Sequence, residues 1–283
     1  MPFLQLLPPC LRRAWVSAAL LRATALELAV LAGHLVLYPS GVAPEHPAPE
    51  HPTPEGPDVS SGDTPQLPTG APARRPVVLL HGFIDNRSVF VLLRRSLSRH
   101  GWRHLESLNY SPLTCDIRAA AELLGRHVEK ISARTGQPRV DIVGHSLGGL
   151  IARYYVQRLG GDARVHTLVT LGTPHAGTRS AHLVSAHPIV RQMCPGSAVV
   201  EELRSPAPGC RTRFVSFWSD LDTLMVPVET ARIDHPDLHV QNVRVSGIGH
   251  LALPVHPAVA AGIREALAAR EETAEGPTAF SVA

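Results

Sequence analysis

Apolar, β-branched residues come in short unbroken runs along this chain, separated by segments in which apolar positions recur every three or four residues. Runs at residues 76–80, 139–143, 164–171, 213–218 and 239–245, each bounded by turn formers, predict strands. Because these runs are continuous rather than alternating, the strands are expected to be covered on both faces, as in a parallel sheet between helices. Residues 114–135 give the clearest helix: Ile117, Ala121, Leu124, Val128 and Ile131 share a face. Thr114 or Asp116 can cap its start, and Gly136 with Pro138 stops it. Further helices are predicted over 88–100, 147–159 and 257–270. This alternation implies an α/β fold, a mostly parallel, doubly wound sheet with helices on both faces. Such a domain holds its ligand crevice at the carboxyl ends of the strands, so functional residues should directly follow strands.

The first 75 residues follow different rules. Residues 15–38 form an apolar run of membrane-spanning length preceded by Arg12 and Arg13, the opening of a signal peptide or signal anchor. Ten Leu and Val at roughly 0.5 kcal/mol each nearly cancel Arg22 and Glu27 at roughly 2.5 to 3.5 kcal/mol each, so membrane insertion is marginal. Glu27 and His34 share a helix face, whereas Arg22 lies well round from them, so no clean amphipathic stripe results. Pro44 follows the nearest small-x-small site, Gly41 to Ala43, which favours an uncleaved anchor; a soluble helix packed on the catalytic domain is the alternative. Residues 39–75 are proline-rich, with Pro-Glu-His-Pro occurring twice, and lack the large apolar side chains a core needs. The expected organisation is an N-terminal membrane-associated segment over 1–38, a linker over 39–75, a catalytic domain over 76–270 and a flexible tail over 271–283.

Composition adds exclusions. A formal net charge of +3 over 283 residues, with no basic block interleaved with aromatics, gives no reason to expect a nucleic-acid partner. Sixteen histidines are scattered without HExxH or CxxC spacing, so no metal site is expected. Among Cys115, Cys194 and Cys210 either one bridge or three reduced buried thiols fits an exported domain.

The chemistry concentrates after the strands. The 139–143 run leads into Gly144-His145-Ser146-Leu147-Gly148-Gly149 and then a helix, which is the context a GxSxG nucleophile turn requires. Two oxyanion donors are needed for acyl transfer, and the backbone amides of Leu147, next to the nucleophile, and Phe83, after the first strand, are the candidates. His81 precedes the serine in the chain, and a structural hydrogen-bonding role suits it better than that of base. After the 213–218 strand come Asp220 and Asp222, of which Asp222 is favoured as the acid and Asp220 as a turn cap. After the 239–245 strand, two glycines deliver His250 as general base, ahead of its rivals His239 and His256.

With these motifs the chain resembles bacterial secreted triacylglycerol lipases and the wider lipase class of the α/β-hydrolase superfamily. The resemblance covers roughly 75–268, carried also by His81-Gly82-Phe83 and by Leu171-Gly172-Thr173-Pro174-His175-Ala176-Gly177-Thr178. It implies that His81, His145, Thr173 and His175 line the substrate site, with His175 contacting substrate rather than moving protons. It further implies ester hydrolysis, acylglycerols being the favoured substrates, by Ser146, Asp222 and His250 without a cofactor. Acyl transfer, or deacylation of phospholipids or lipid anchors, would use the same machinery, and a silent binding protein is the non-enzymatic alternative. An insert over 180–210, with a helix-like apolar piece at 181–193, is either a mobile lid or a static cap. The implied setting is the cell envelope or exterior, with a lipid or ester partner.

Overall fold

The computed structural model describes residues 9–42, 74–83, 85–110, 116–184 and 186–269. Most of the proline-rich stretch, the C-terminal tail and Cys115 lie outside the described residues.

Six parallel strands form one sheet in the order β2-β1-β3-β4-β5-β6: β1 (Val77–Leu80), β2 (Leu105–Leu108), β3 (Val140–His145), β4 (Val165–Leu171), β5 (Arg213–Ser219) and β6 (His239–Val245). Strands β1, β3 and β4 are buried at every position, as their unbroken apolar runs require. Strand β6 departs from the expected two-sided burial: it is an edge strand with exposed and half-buried positions along its length. The expected strands are all present. Strand β2 is additional; its sequence Leu-Glu-Ser-Leu is too short and mixed to stand out, and it occupies the opposite edge.

The helices are α1 (Pro9–Val42), α2 (Val91–Arg99), α3 (Ile117–Thr135), α4 (Leu147–Arg158), α5 (Pro188–Gln192), α6 (Ala198–Arg204) and α7 (Pro257–Ala268). The Asp116 side chain caps α3 by accepting from the Ala119 amide at 2.7 Å, and Gly136 closes it in the left-handed conformation. One face of the sheet packs α3 and α4 over Leu80, Ile142 and Leu168; the other packs α2 and α7 over Val77, Leu79, Val169 and Phe217.

Two expectations need correction. Helix α1 runs through Pro39 to Val42, into the stretch read as linker. The apolar piece at 181–193 is not one helix: a 3-10 turn (Arg179–Val184) is followed by α5, whose start is set by Pro188, and Ser197 then caps the additional helix α6. Ile189, Val190, Val199, Val200 and Leu203 bury these pieces in the core, and Glu202 accepts from Arg118 Nη2 and Tyr154 Oη at 2.5 and 2.6 Å. These pieces of the insert are thus packed against the core. Cys194 and Cys210 are buried free thiols, so no bridge joins them.

Candidate active site

The turn from β3 into α4 is a strained one. Ser146 has φ 52° and ψ −119°, the one non-glycine residue with positive φ among the described residues. A side chain is normally disfavoured there, and such strain persists only where the surroundings hold it. They do: the Ser146 amide donates to Leu171 O at 2.9 Å, and Thr173 Oγ1 donates to Ser146 O at 3.0 Å. The flanking glycines are obligatory, since a Cβ at Gly148 would lie 2.3 Å from Leu80 O and one at Gly144 2.6 Å from the Gly149 amide. Leu147 opens α4, so its amide has no acceptor within the helix. The chain after β1 passes close by: a Cβ on Gly82 would stand 3.4 Å from Ser146 Cβ, with Phe83 next in sequence.

The two residues expected from the far end of the sheet meet. Asp222, in the loop after β5, accepts through Oδ2 from His250 Nδ1 at 2.8 Å. Its Oδ1 accepts the amides of Leu224 and Met225 at 3.0 and 3.1 Å, fixing the carboxylate. Asp220 is turned elsewhere, to the exposed Arg244 guanidinium at 2.9 Å. His250, almost fully buried, lies beside the residue preceding the serine: its ring centroid is 4.8 Å from that of His145, whose Nε2 is 3.3 Å from His250 O. Burial, the largest influence, disfavours the imidazolium; the charge and hydrogen bond of Asp222, helped by Asp85 and Glu27, outweigh it, and the net pKa is raised above 6.5.

The other expected site residues are bonded inward. His81 stacks on Tyr110 with centroids 4.4 Å apart, its Nδ1 2.9 Å from Gly82 O, and Tyr110 Oη donates to His81 O. Burial first of all pushes the His81 pKa down, which suits a structural imidazole. His145 Nδ1 faces the partly buried Asp85 Oδ2 at 3.3 Å, and His145 itself is buried away from solvent. Thr173 supports the turn, as described. His175, for which the resemblance implies a substrate contact, is almost fully buried, with Nε2 3.0 Å from Thr170 Oγ1 on β4 and its carbonyl accepting from Arg153. Burial, reinforced by the Arg153 charge, holds it well below the usual imidazole range and therefore neutral.

Three further residues join these contacts, and for two of them the sequence carries no local signal. Asp85 lies between His145 and His34; burial raises its pKa, but the hydrogen bond and charge of His145, with His34 and His81, bring it below the usual carboxylate value. Arg153 is a buried guanidinium bonded to Gln157 Oε1, His175 O and Leu203 O. Glu27 of α1 reaches the His250 loop, accepting the Leu251 and Ala252 amides through Oε2 and Oε1, each at 2.9 Å. The one advance sign of the last contact was that Glu27 and His34 fall on one face of an otherwise apolar run.

A parallel doubly wound sheet, a strained serine turn at the end of its third strand, and a carboxylate-backed histidine after its sixth define an α/β-hydrolase fold. Solved structures agree on the fold: Bacillus licheniformis lipase BlEst2 in mature form superposes with a TM-score of 0.60 at 16% identity, covering 73% of this chain and 96% of that one. Aspergillus fumigatus lipase B superposes with a TM-score of 0.62 at 17% identity, covering 72% of this chain and 55% of that one. The palmitoyl protein thioesterase family model matches residues 76–224, and the chain belongs to that family. Triacylglycerol lipases of Pseudarthrobacter phenanthrenivorans and Burkholderia plantarii are each 30% identical over 123 residues, 41% of this chain. The match spans only 38% and 34% of those two relatives.

Proposed function

We propose that this protein is a carboxylic ester hydrolase in which Ser146 is the nucleophile, His250 the general base and Asp222 the acid that orients it. The observation that carries this reading is the 2.8 Å Asp222–His250 bond on the same rim as the strained serine turn. Asp222 holds the Nδ1–H tautomer, leaving Nε2 free to take a proton. His250 removes the Ser146 hydroxyl proton as the oxygen attacks the acyl carbon, and the amides of Leu147 and Phe83 stabilise the oxyanion. As the tetrahedral adduct collapses, His250 passes the proton to the leaving oxygen; water, activated by the same imidazole, then releases the acid and restores the serine. Every group needed is a protein group, so no cofactor is invoked.

Acylglycerols are the proposed substrates, supported by the triacylglycerol lipases that the chain resembles. The family match to palmitoyl protein thioesterases favours a second reading, a fatty acyl thioester on a lipid-modified protein, which the same machinery would cleave. A membrane setting suits both. Helix α1 is long and apolar enough over Leu20–Gly41 to cross a membrane, with mean hydropathy 1.7. Its polarity is the reverse of that of a helix packed on a water-soluble domain: Glu27 and His34 face the catalytic domain, while Leu21, Leu28, Leu35 and Val36 face outward. Glu27 and His34 turned inward and leucines turned outward suit lipid surroundings, with the exposed Arg22 near the N-terminal end of the span, where its long side chain can reach the interface, so we assign this face to the bilayer of an exported, anchored protein.

A fluorophosphonate probe with peptide mapping tests the core claim. Labelling is expected at Ser146, lost in Ser146→Ala; an unlabelled wild type, or a label elsewhere, refutes it. Dioctanoylglycerol and an S-palmitoyl peptide, compared by kcat/KM, then choose between the two substrate readings.

A further inference from the structure

Nothing in an acyl-transfer mechanism calls for a carboxylate on the N-terminal helix, yet Glu27 is in contact with the loop that carries the proposed base. Both of its oxygens are used: Oε2 accepts the Leu251 amide and Oε1 the Ala252 amide, each at 2.9 Å. These are the two amides immediately after His250. On the other side of His250, Gly249 has no room for a side chain, because a Cβ there would lie 2.5 Å from Glu27 Cδ. The carboxyl group therefore holds the amides of 251 and 252 and packs closely against Gly249. The imidazole ring is held by Asp222 and the backbone directly after His250 by Glu27; His145 Nε2 at His250 O completes the set.

We propose that Glu27 is a positioning residue for His250, so that helix α1 completes the catalytic centre rather than merely tethering it. A carboxylate is the group required, since it presents two acceptors in one plane to two adjacent N–H donors, and an anion beside those amides is worth more than a neutral acceptor. A glutamine at the same place would offer one acceptor and one donor, setting an N–H against an N–H. The inference rests on His250 being the base, and it assigns Glu27 no proton to move. The charged and titratable groups acting on the imidazole are Asp222 from the β5 loop, Asp85 from the β1 loop, Glu27 from α1 and the neighbouring His145.

The alternative is that Glu27 only docks the helix. Helix α1 is docked elsewhere too, through Asn109 Nδ2, which donates to Gly41 O at 2.8 Å, and this contact is remote from the His250 loop. The experiment uses the full chain in detergent micelles or nanodiscs. Glu27→Gln is expected to lower kcat for p-nitrophenyl butyrate roughly 10- to 100-fold, the scale of an ångström's misplacement of a catalytic group, with KM within about threefold. Glu27→Asp should recover part of the loss, and Asn109→Ala should stay within about twofold of wild type. In a Ser146→Ala background, the imidazole titration of His250 followed by NMR should fall to lower pH on adding Glu27→Gln. An unchanged titration, or equal losses in Glu27→Gln and Asn109→Ala, overturns the proposal. Because the titration needs no turnover, a wild type that hydrolyses no ester refutes the hydrolase reading while leaving the Glu27 question decided by NMR.

Discussion

Replacing Asp222 by asparagine removes one charge and almost no volume, and the surroundings of the side chain dictate how the new amide must sit. At the Oδ1 position two backbone donors arrive, from Leu224 and Met225 at 3.0 and 3.1 Å. At the Oδ2 position one donor arrives, His250 Nδ1 at 2.8 Å. Facing the amide NH2 toward Leu224 and Met225 would strand two donors, a penalty of roughly 1 to 3 kcal/mol each. Facing it toward His250 strands one, and the imidazole can relieve that by moving its proton from Nδ1 to Nε2. The second arrangement therefore wins, and it leaves Nε2–H pointing where a lone pair is needed. The same substitution in a serine protease triad lowers kcat about 10⁴-fold for this reason. We expect a loss of that order here, equivalent to about 5.4 kcal/mol of barrier. The assay is p-nitrophenyl ester hydrolysis at pH 8 with Asp220→Asn as control, whose partner Arg244 is exposed and whose loss should cost less than about threefold. A tenfold or smaller loss in Asp222→Asn, or equal losses in the two variants, would refute the tautomer argument.

The pH profile should reflect the raised proton affinity of His250: as the base must be neutral, kcat/KM should climb with pH through an apparent pKa above 6.5, and a midpoint below 6 would contradict the assigned environment. Gly148→Ala places a methyl 2.3 Å from a backbone carbonyl that cannot move away, so a loss of at least about 3 kcal/mol is expected in urea titration, with fluorophosphonate labelling lost even below the midpoint. Arg153→Met empties a buried site where burial above all, then Arg158 and Arg204, has pushed the guanidinium pKa down to about 9. It leaves the His175 carbonyl unpaired and the Leu203 carbonyl with only Gln157 Nε2 at 3.4 Å, and we expect about 1 to 3 kcal/mol of destabilisation with faster proteolysis in the 180–210 insert; unchanged protease sensitivity would show that Arg153 does not hold the insert down.

The distribution of what could be read from the residues alone follows the range of the interactions. Strands β1, β3, β4 and β5 announce themselves because burial on both faces demands apolar residues at consecutive positions, whereas β2 has only Leu105, Ser107 and Leu108 inward and pairs Glu106 with His127 and Arg134. The serine turn is legible because its backbone geometry needs glycine at fixed offsets. The preference for Asp222 over Asp220 agrees with their partners, one bonded to an imidazole and the other to a surface guanidinium. Asp85 under His145 has no comparable sign, since the loop after β1 meets the end of β3 only in the folded sheet. Glu27 was judged by its cost in a membrane, which is correct for an isolated helix; its compensation lies in amides far along the chain, and no local pattern encodes them. The direction of the His175 ring, toward Thr170, is likewise not legible, because a motif fixes where a residue stands in the chain and not which way its ring turns.

The pairing of Glu27 with Leu251 spans 224 residues, against 28 for Asp222 with His250. By chain statistics, closing the longer circuit costs only about 1.8 kcal/mol more, so its burden falls on timing rather than on equilibrium. During synthesis helix α1 must wait for more than 200 further residues to emerge before its carboxylate finds an acceptor-hungry loop. Until then a glutamate sits unmatched in a greasy segment, and the proposed hydrolytic site cannot be assembled. A chain cut before residue 250 would therefore carry the proposed nucleophile without its proposed base, and is expected to be inert rather than partly active.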